Sequence, residues 1–259
     1  MTGRVSSPVG QRDVSDRFYH RMASACLAIA VLGFAPSYFV PLARGTGSWP
    51  LLIHLHGLLF FGWVVFFWWQ TRRILNGEVR SHRAWGLFGI ALGTIMVCAA
   101  FAVVAMRIGV HQRAGFDVEG RRFAWIGISD LLIFASLLAF AIARAGQPDT
   151  HKRLMLMATI ALLGPPIGRW VLLAVGTFTT LPGAGSGAPP PVTAAYVPHI
   201  LSFALVAVAM TREMRTIGRV HPAYLVSFAA MVVQLVTLTR IANSRTWQWI
   251  AGAMASMAG

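Results

Sequence analysis

The stretch that decides the fold is Pro50–Trp69, PLLIHLHGLLFFGWVVFFWW, twenty residues without one Lys, Arg, Asp or Glu. A helix rises about 1.5 Å per residue, so such a run spans about 30 Å, the thickness of a bilayer's hydrocarbon core. Six further apolar runs lie near 22–42, 84–106, 124–145, 154–177, 195–211 and 222–239. Over 259 residues, 56% are hydrophobic and only 12% charged, with a mean hydropathy of +0.64. That balance excludes a water-soluble core. It specifies an all-α, polytopic membrane protein, a bundle of about seven transmembrane helices. Residues 1–21 are expected as a cytoplasmic N-terminal segment, 22–240 as a single seven-helix transmembrane domain, and 241–259 as a short C-terminal tail.

In a soluble chain a net charge of +14 would point to nucleic acid. Here the cations lie between spans, so they report topology and no nucleic-acid partner is expected. Segments 1–21, 70–83, 144–153 and 212–219 hold fourteen Lys/Arg, and the alternate loops hold seven. The bias places the N-terminus inside and the C-terminus outside, as expected for a multi-pass protein of the bacterial inner membrane with the lipid bilayer as its partner. No small-residue cleavage site follows the first apolar run, which therefore reads as a retained span. Cys26 and Cys98 fall at different depths in their spans, which argues against a disulfide. Trp49, Trp85, Trp247 and Trp249 suit interfacial belts. The uncharged stretch Leu181–Pro191 suits a flexible linker, with a lid over a pocket as the functional alternative.

Polar residues inside the spans are few, and hairpin geometry estimates their depth. Residues equally distant from a turn between antiparallel helices lie level. A turn near 149–150 sets Asp130 level with Arg169, the acid and the base clearly inside spans. A turn near 77 sets His56 level with Cys98, and one near 217 sets His199 level with Gln234. The turn near 45 sets His54 level with Ser37 and beside Tyr38. Intramembrane ionisable residues are costly and usually mark function, although Asp130 and Arg169 also read as a structural ion pair. Gly164-Pro165-Pro166 must interrupt the helical hydrogen-bond ladder close to Arg169. His54 and His56, two apart, point about 200° apart on a helix, so both cannot ligate one ion there. One of them can pair with His199 across the bundle, as b-type haem ligation requires.

A faint repeat places His20, His82, His151 and His221 at the start of alternate spans. With His56, Gln70, His82-Arg83, His151-Lys152-Arg153-Leu154-Met155 and Arg169-Trp170 laid out, residues 15–175 resemble a group of uncharacterised polytopic bacterial inner-membrane proteins. More loosely, the paired histidines resemble the cytochrome b561 class. That resemblance implies two b haems, one held by His54 or His56 with His199 and the other by His82 with His151; seven spans and a His-x-His depart from the usual pattern of that class. The functions this leaves are a b-haem electron-transfer module meeting quinone or another redox partner, a small-solute or proton-coupled transporter built around Asp130 and Arg169, and a non-catalytic assembly subunit. A zinc hydrolase using His54 or His56, His199 and Asp130 ranks last, because no span carries an H-E-x-x-H motif.

Overall fold

The computed structural model describes residues 8–174 and 187–257. The part of the Leu181–Pro191 stretch before Gly187 lies outside the described residues. Seven helical segments are long and apolar enough to cross a membrane: Val14–Ala43, Leu51–Leu75, Val79–Arg113, Asp117–Ala143, Pro148–Ala174, Val192–Ile217 and Pro222–Ala242. No strand occurs among the described residues. In chain order the helices are α1 (Pro8–Phe34), α2 (Val40–Ala43), α3 (Leu51–Leu75), α4 (Val79–Arg113), α5 (Asp117–Ala143), α6 (Pro148–Ala161), α7 (Gly164–Ala174), α8 (Tyr196–Ile217), α9 (Pro222–Ala242) and α10 (Arg245–Met257). Short connections make the first five spans and the last two sequentially antiparallel, and Arg153 near the start of α6 bonds Glu213 near the end of α8, which sets α8 antiparallel to α6. Thus α1, α4, α6 and α9 start at one face of the bundle, here the first face, and α3, α5 and α8 start at the second.

Two spans are broken, and each break has a proline behind it. The first span passes through a π-helical stretch, Ala35–Phe39, between α1 and α2. Pro36 has no N–H, so the Leu32 carbonyl four residues earlier loses its helical donor. Trp170 supplies a replacement, its indole Nε1 donating to Leu32 O at 3.0 Å. The fifth span stops at Ala161 and restarts at Gly164, with Pro165 and Pro166 in the new first turn. The two breaks touch. A Cβ on Gly33 would fall 2.5 Å from the Pro166 carbonyl oxygen, so only glycine lets α1 approach α7 this closely.

The core sits where α3, α5 and α6 meet. Trp63 (1% exposed) packs edge-on against Phe134 (0%) at 5.0 Å and donates its indole N–H to Thr159 Oγ1 at 3.3 Å. Leu87 and Val226, 75% and 69% exposed, point away from the bundle, as lipid-facing side chains do. The segment expected as a C-terminal tail is helix α10, which lies against α4 and α5. Trp247, expected at an interface, is buried there: its ring lies 4.8 Å from that of Trp125 and its Nε1 donates to Arg121 O at 2.7 Å. Trp249 remains 74% exposed. Cys26 and Cys98 are both free thiols.

Candidate functional site

Asp130 is the midpoint of α5 and is 4% exposed. Its Oδ1 meets His199 Nε2 at 2.8 Å and accepts from Gln234 Nε2 at 2.6 Å. Gln234 also donates to Ser129 Oγ at 3.0 Å. Three helices, α5, α8 and α9, therefore converge on one carboxylate. The other imidazole nitrogen, His199 Nδ1, is 2.6 Å from the Ala195 carbonyl. A carbonyl only accepts, so Nδ1 carries a hydrogen. One further proton then belongs to the contact between Nε2 and Oδ1, on the imidazole or on the acid. The pair holds a proton in either form.

The second carboxylate oxygen is different. Asp130 Oδ2 is buried and has no hydrogen-bond partner among the described residues. A Cβ on Gly164 would lie 3.4 Å from Oδ2 and 3.2 Å from His199 Cε1. The unpaired oxygen therefore borders the break between α6 and α7, at the residue whose missing side chain leaves room. Such an atom is costly in a dry interior, and a buried polar group left unpaired in a native structure calls for an explanation.

Arg169 lies on α7, just past the same break. Its Nη1 donates to Pro165 O at 2.9 Å and its Nε to Ser37 Oγ, on the π-helical stretch, at 2.8 Å. Its guanidinium carbon stands 3.8 Å from the Phe34 ring centre. The sequence sets Asp130 and Arg169 at one depth, but Asp130's ion pair is with His199, and no carboxylate pairs with Arg169 among the described residues. The half-buried His56 lies tilted on Phe60 with ring centres 4.3 Å apart, and its Nδ1 is buried without a partner among the described residues. His54 Nδ1 bonds the Tyr38 hydroxyl at 2.7 Å. Neither His54 nor His56 hydrogen-bonds or stacks with His199, whose ring nitrogens meet Ala195 O and Asp130 Oδ1.

At the first face, His82 and His151 come together with ring centres 6.3 Å apart. Near them is a cluster that the sequence reading missed. Arg153 on α6 donates through Nε and Nη2 to Glu213 Oε1 on α8, the Nε contact being 2.6 Å, and Nη1 donates to Asp149 O. Glu213 Oε2 accepts from the His221 backbone N–H at 2.7 Å, and the Tyr19 and Tyr224 hydroxyls meet at 3.0 Å beside it. Glu213 sits in a segment read as a basic loop. A signal was there: His199, Ser202, Val206, Ala209 and Glu213 recur every three or four residues, and all are buried on one stripe of α8.

The haem expectation can be tested against these contacts. An axial ligand must offer a free imidazole nitrogen. Both nitrogens of His199 are engaged, so it does not fit the second-face site. His82 and His151 offer better donors, but cavities of about 500 Å³ along Thr211, Arg212 and Arg215, and about 250 Å³ along Trp68, Trp69 and Arg72, are lined by neither. Among the described residues no group of three or more His, Cys, Asp or Glu is arranged to hold a metal. No protein-family model, curated protein or solved structure matches the chain. Fold and site together define a seven-helix multi-pass membrane protein with a broken fifth span and a buried acid–histidine pair beside the break.

Proposed function

We propose that this is a proton-coupled transporter of a small anion in the bacterial inner membrane. One observation carries the reading: the break in the fifth span has a proton-holding pair, Asp130–His199, on one side and Arg169, without a carboxylate partner among the described residues, on the other. Interrupted spans are the common way membrane carriers bring polar groups to a substrate, because irregular backbone survives there only where it is buried or lines a cavity. Arg169 supplies the cation for the anion. Its Nη2 has no protein partner among the described residues, and a guanidinium recognises planar oxyanions through paired N–H groups. Asp130 Oδ2 supplies a second position for the proton. Both Asp130 and His199 are 4% exposed, so this conformation seals the pair, and transport requires α7 to move relative to α8.

The test is proton movement in liposomes holding the purified protein and a pH-sensitive dye, under inward gradients of chloride, nitrate, phosphate, acetate and pyruvate. At least one anion is expected to drive proton entry faster than in protein-free liposomes, and Arg169→Gln and Asp130→Asn are each expected to abolish it. Proton entry no faster than in protein-free liposomes for every anion overturns the reading. So does entry that persists in both variants.

A further inference from the structure

The transport reading makes no use of the two histidines at the first face, and their geometry has its own logic. His151 Nδ1 lies 2.8 Å from the Ala141 carbonyl, which can only accept, so Nδ1 carries the hydrogen and Nε2 keeps a bare lone pair. His82 Nδ1 lies 2.7 Å from Gln70 Oε1, which imposes the same tautomer. No described residue hydrogen-bonds either Nε2. Backing Nδ1–H with a carbonyl oxygen is how proteins prepare a histidine to bind metal through Nε2, fixing both tautomer and ring orientation. Two such rings, on α4 and α6, stand with their centres 6.3 Å apart.

We propose that His82 and His151 form a two-imidazole site for a soft monovalent metal ion, Cu(I). The spacing agrees. With metal–nitrogen bonds of about 2.0 Å and each ring centre about 1.1 Å from its nitrogen, imidazoles on opposite sides of one ion have centres roughly 6.2 Å apart. The observed separation is 6.3 Å, and the 75° between the ring planes is a twist that a shared nitrogen–metal–nitrogen axis permits. Donor number selects the ion. Zinc is nearly always four-coordinate, and calcium and magnesium require oxygen donors. Among the described residues the pair has no third His, Cys, Asp or Glu arranged with it. Cu(I), with a filled d shell, is satisfied by two neutral nitrogens in line. Charge points the same way. Arg83 follows His82 and Lys152 follows His151, so a single positive charge is less disfavoured than two. Both histidines are half-buried, which leaves a path for the ion from the first face.

Gln70 acts through His82 and is a positioning residue. It is 7% exposed, its Nε2 has no partner among the described residues, and its oxygen is turned to His82. The experiment loads the detergent-purified full-length protein with Cu(I) under ascorbate and without oxygen, in competition with a coloured Cu(I) chelator, and records copper X-ray absorption. One copper per chain is expected, with a two-coordinate nitrogen environment. His82→Ala and His151→Ala should each release it to the chelator. Gln70→Leu should weaken binding by about 10–100-fold and Gln70→Glu should retain it. Should an alanine variant fail to fold, the wild-type absorption spectrum alone decides, since a three- or four-coordinate environment overturns the proposal. Absence of bound copper in the folded wild type overturns it too, as does copper retained by the double alanine variant. A b-type visible spectrum in protein from haem-replete cells, lost in His82→Ala, would replace the bare ion with haem. Asp130→Asn, which tests transport, should leave copper binding unchanged, so the two readings fail separately.

Discussion

Two buried acid–base pairs, one toward each face, are built from similar parts and end differently. At the first face, Arg153 and Glu213 are completed on every side: both Glu213 oxygens accept, and three guanidinium nitrogens donate. At the second, Asp130 gives two contacts to one oxygen and none to the other, next to a break in the neighbouring span. A satisfied pair behaves as a clamp, here tying α6 to α8 and to the start of α9. An unsatisfied one keeps a free valence for something to bind. Burial alone does not separate structure from function; the remaining hydrogen-bond capacity does.

That contrast can be broken first at the clamp. Glu213→Ala leaves the buried Arg153 with only a longer 3.4 Å contact to the exposed Asp149 carboxylate and should cost about 3–5 kcal/mol, read as a fall in unfolding temperature in detergent. A cost no larger than that of an exposed ion pair would remove the distinction between the two regions. Next comes the room beside the break. Gly164→Ala pushes a methyl against His199 and Asp130 Oδ2, and overpacking of this kind costs about 1–3 kcal/mol. Gly168→Ala, whose Cβ would meet Pro198 no closer than 3.4 Å, is the control and should be nearly neutral. Equal effects at the two glycines would show that the space by Asp130 is not special.

A smaller change in stability, paired with a complete change in activity, is expected at the site itself. Asp130→Asn should alter stability by about 1 kcal/mol while proton entry falls to the level of protein-free liposomes. A large loss of stability with transport intact would make this pair a second clamp. The smallest effect is a pH dependence at the first face. His221, between α8 and α9, caps α9 by accepting from the Ala223 N–H at 3.1 Å, which needs a bare Nδ1. Burial first, then the nearby Arg153 charge, hold its pKa below the ordinary 6.5. A lowered folded-state value means the unfolded chain binds the proton more readily, so this contribution is present above about pH 6.5 and is lost as pH falls through the folded-state value. His221→Asn keeps a capping side chain and should flatten that part of the stability–pH curve.

How far the site was legible can be followed residue by residue. Hairpin arithmetic set His199 level with Gln234, and both reach Asp130; it set His54 beside Tyr38, and the two are bonded. The same arithmetic set Asp130 level with Arg169, yet Asp130 turns to α8 and α9 while Arg169 turns to the π-helical stretch of the first span. Depth follows from counting residues along a helix of constant rise, whereas the direction a side chain takes depends on which helix lies beside it. Glu213 was illegible for another reason: its neighbours Arg212 and Arg215 suggested a solvated loop, while α8 continues through them and turns only Glu213 inward.

Seven spans, their approximate limits and the break at Gly164-Pro165-Pro166 are legible in the chain alone. These follow from local quantities: transfer of apolar side chains from water adds residue by residue, and a proline removes its own N–H wherever it stands. Helix packing then brings Asp130 to His199 and Arg153 to Glu213, sets the rings of His82 and His151 6.3 Å apart, and folds residues 245–257 into a packed helix. Hydrogen bonds depend on distance and direction within a few tenths of an ångström, and those are set by the order and rotation of helices around the bundle, which no single helix encodes.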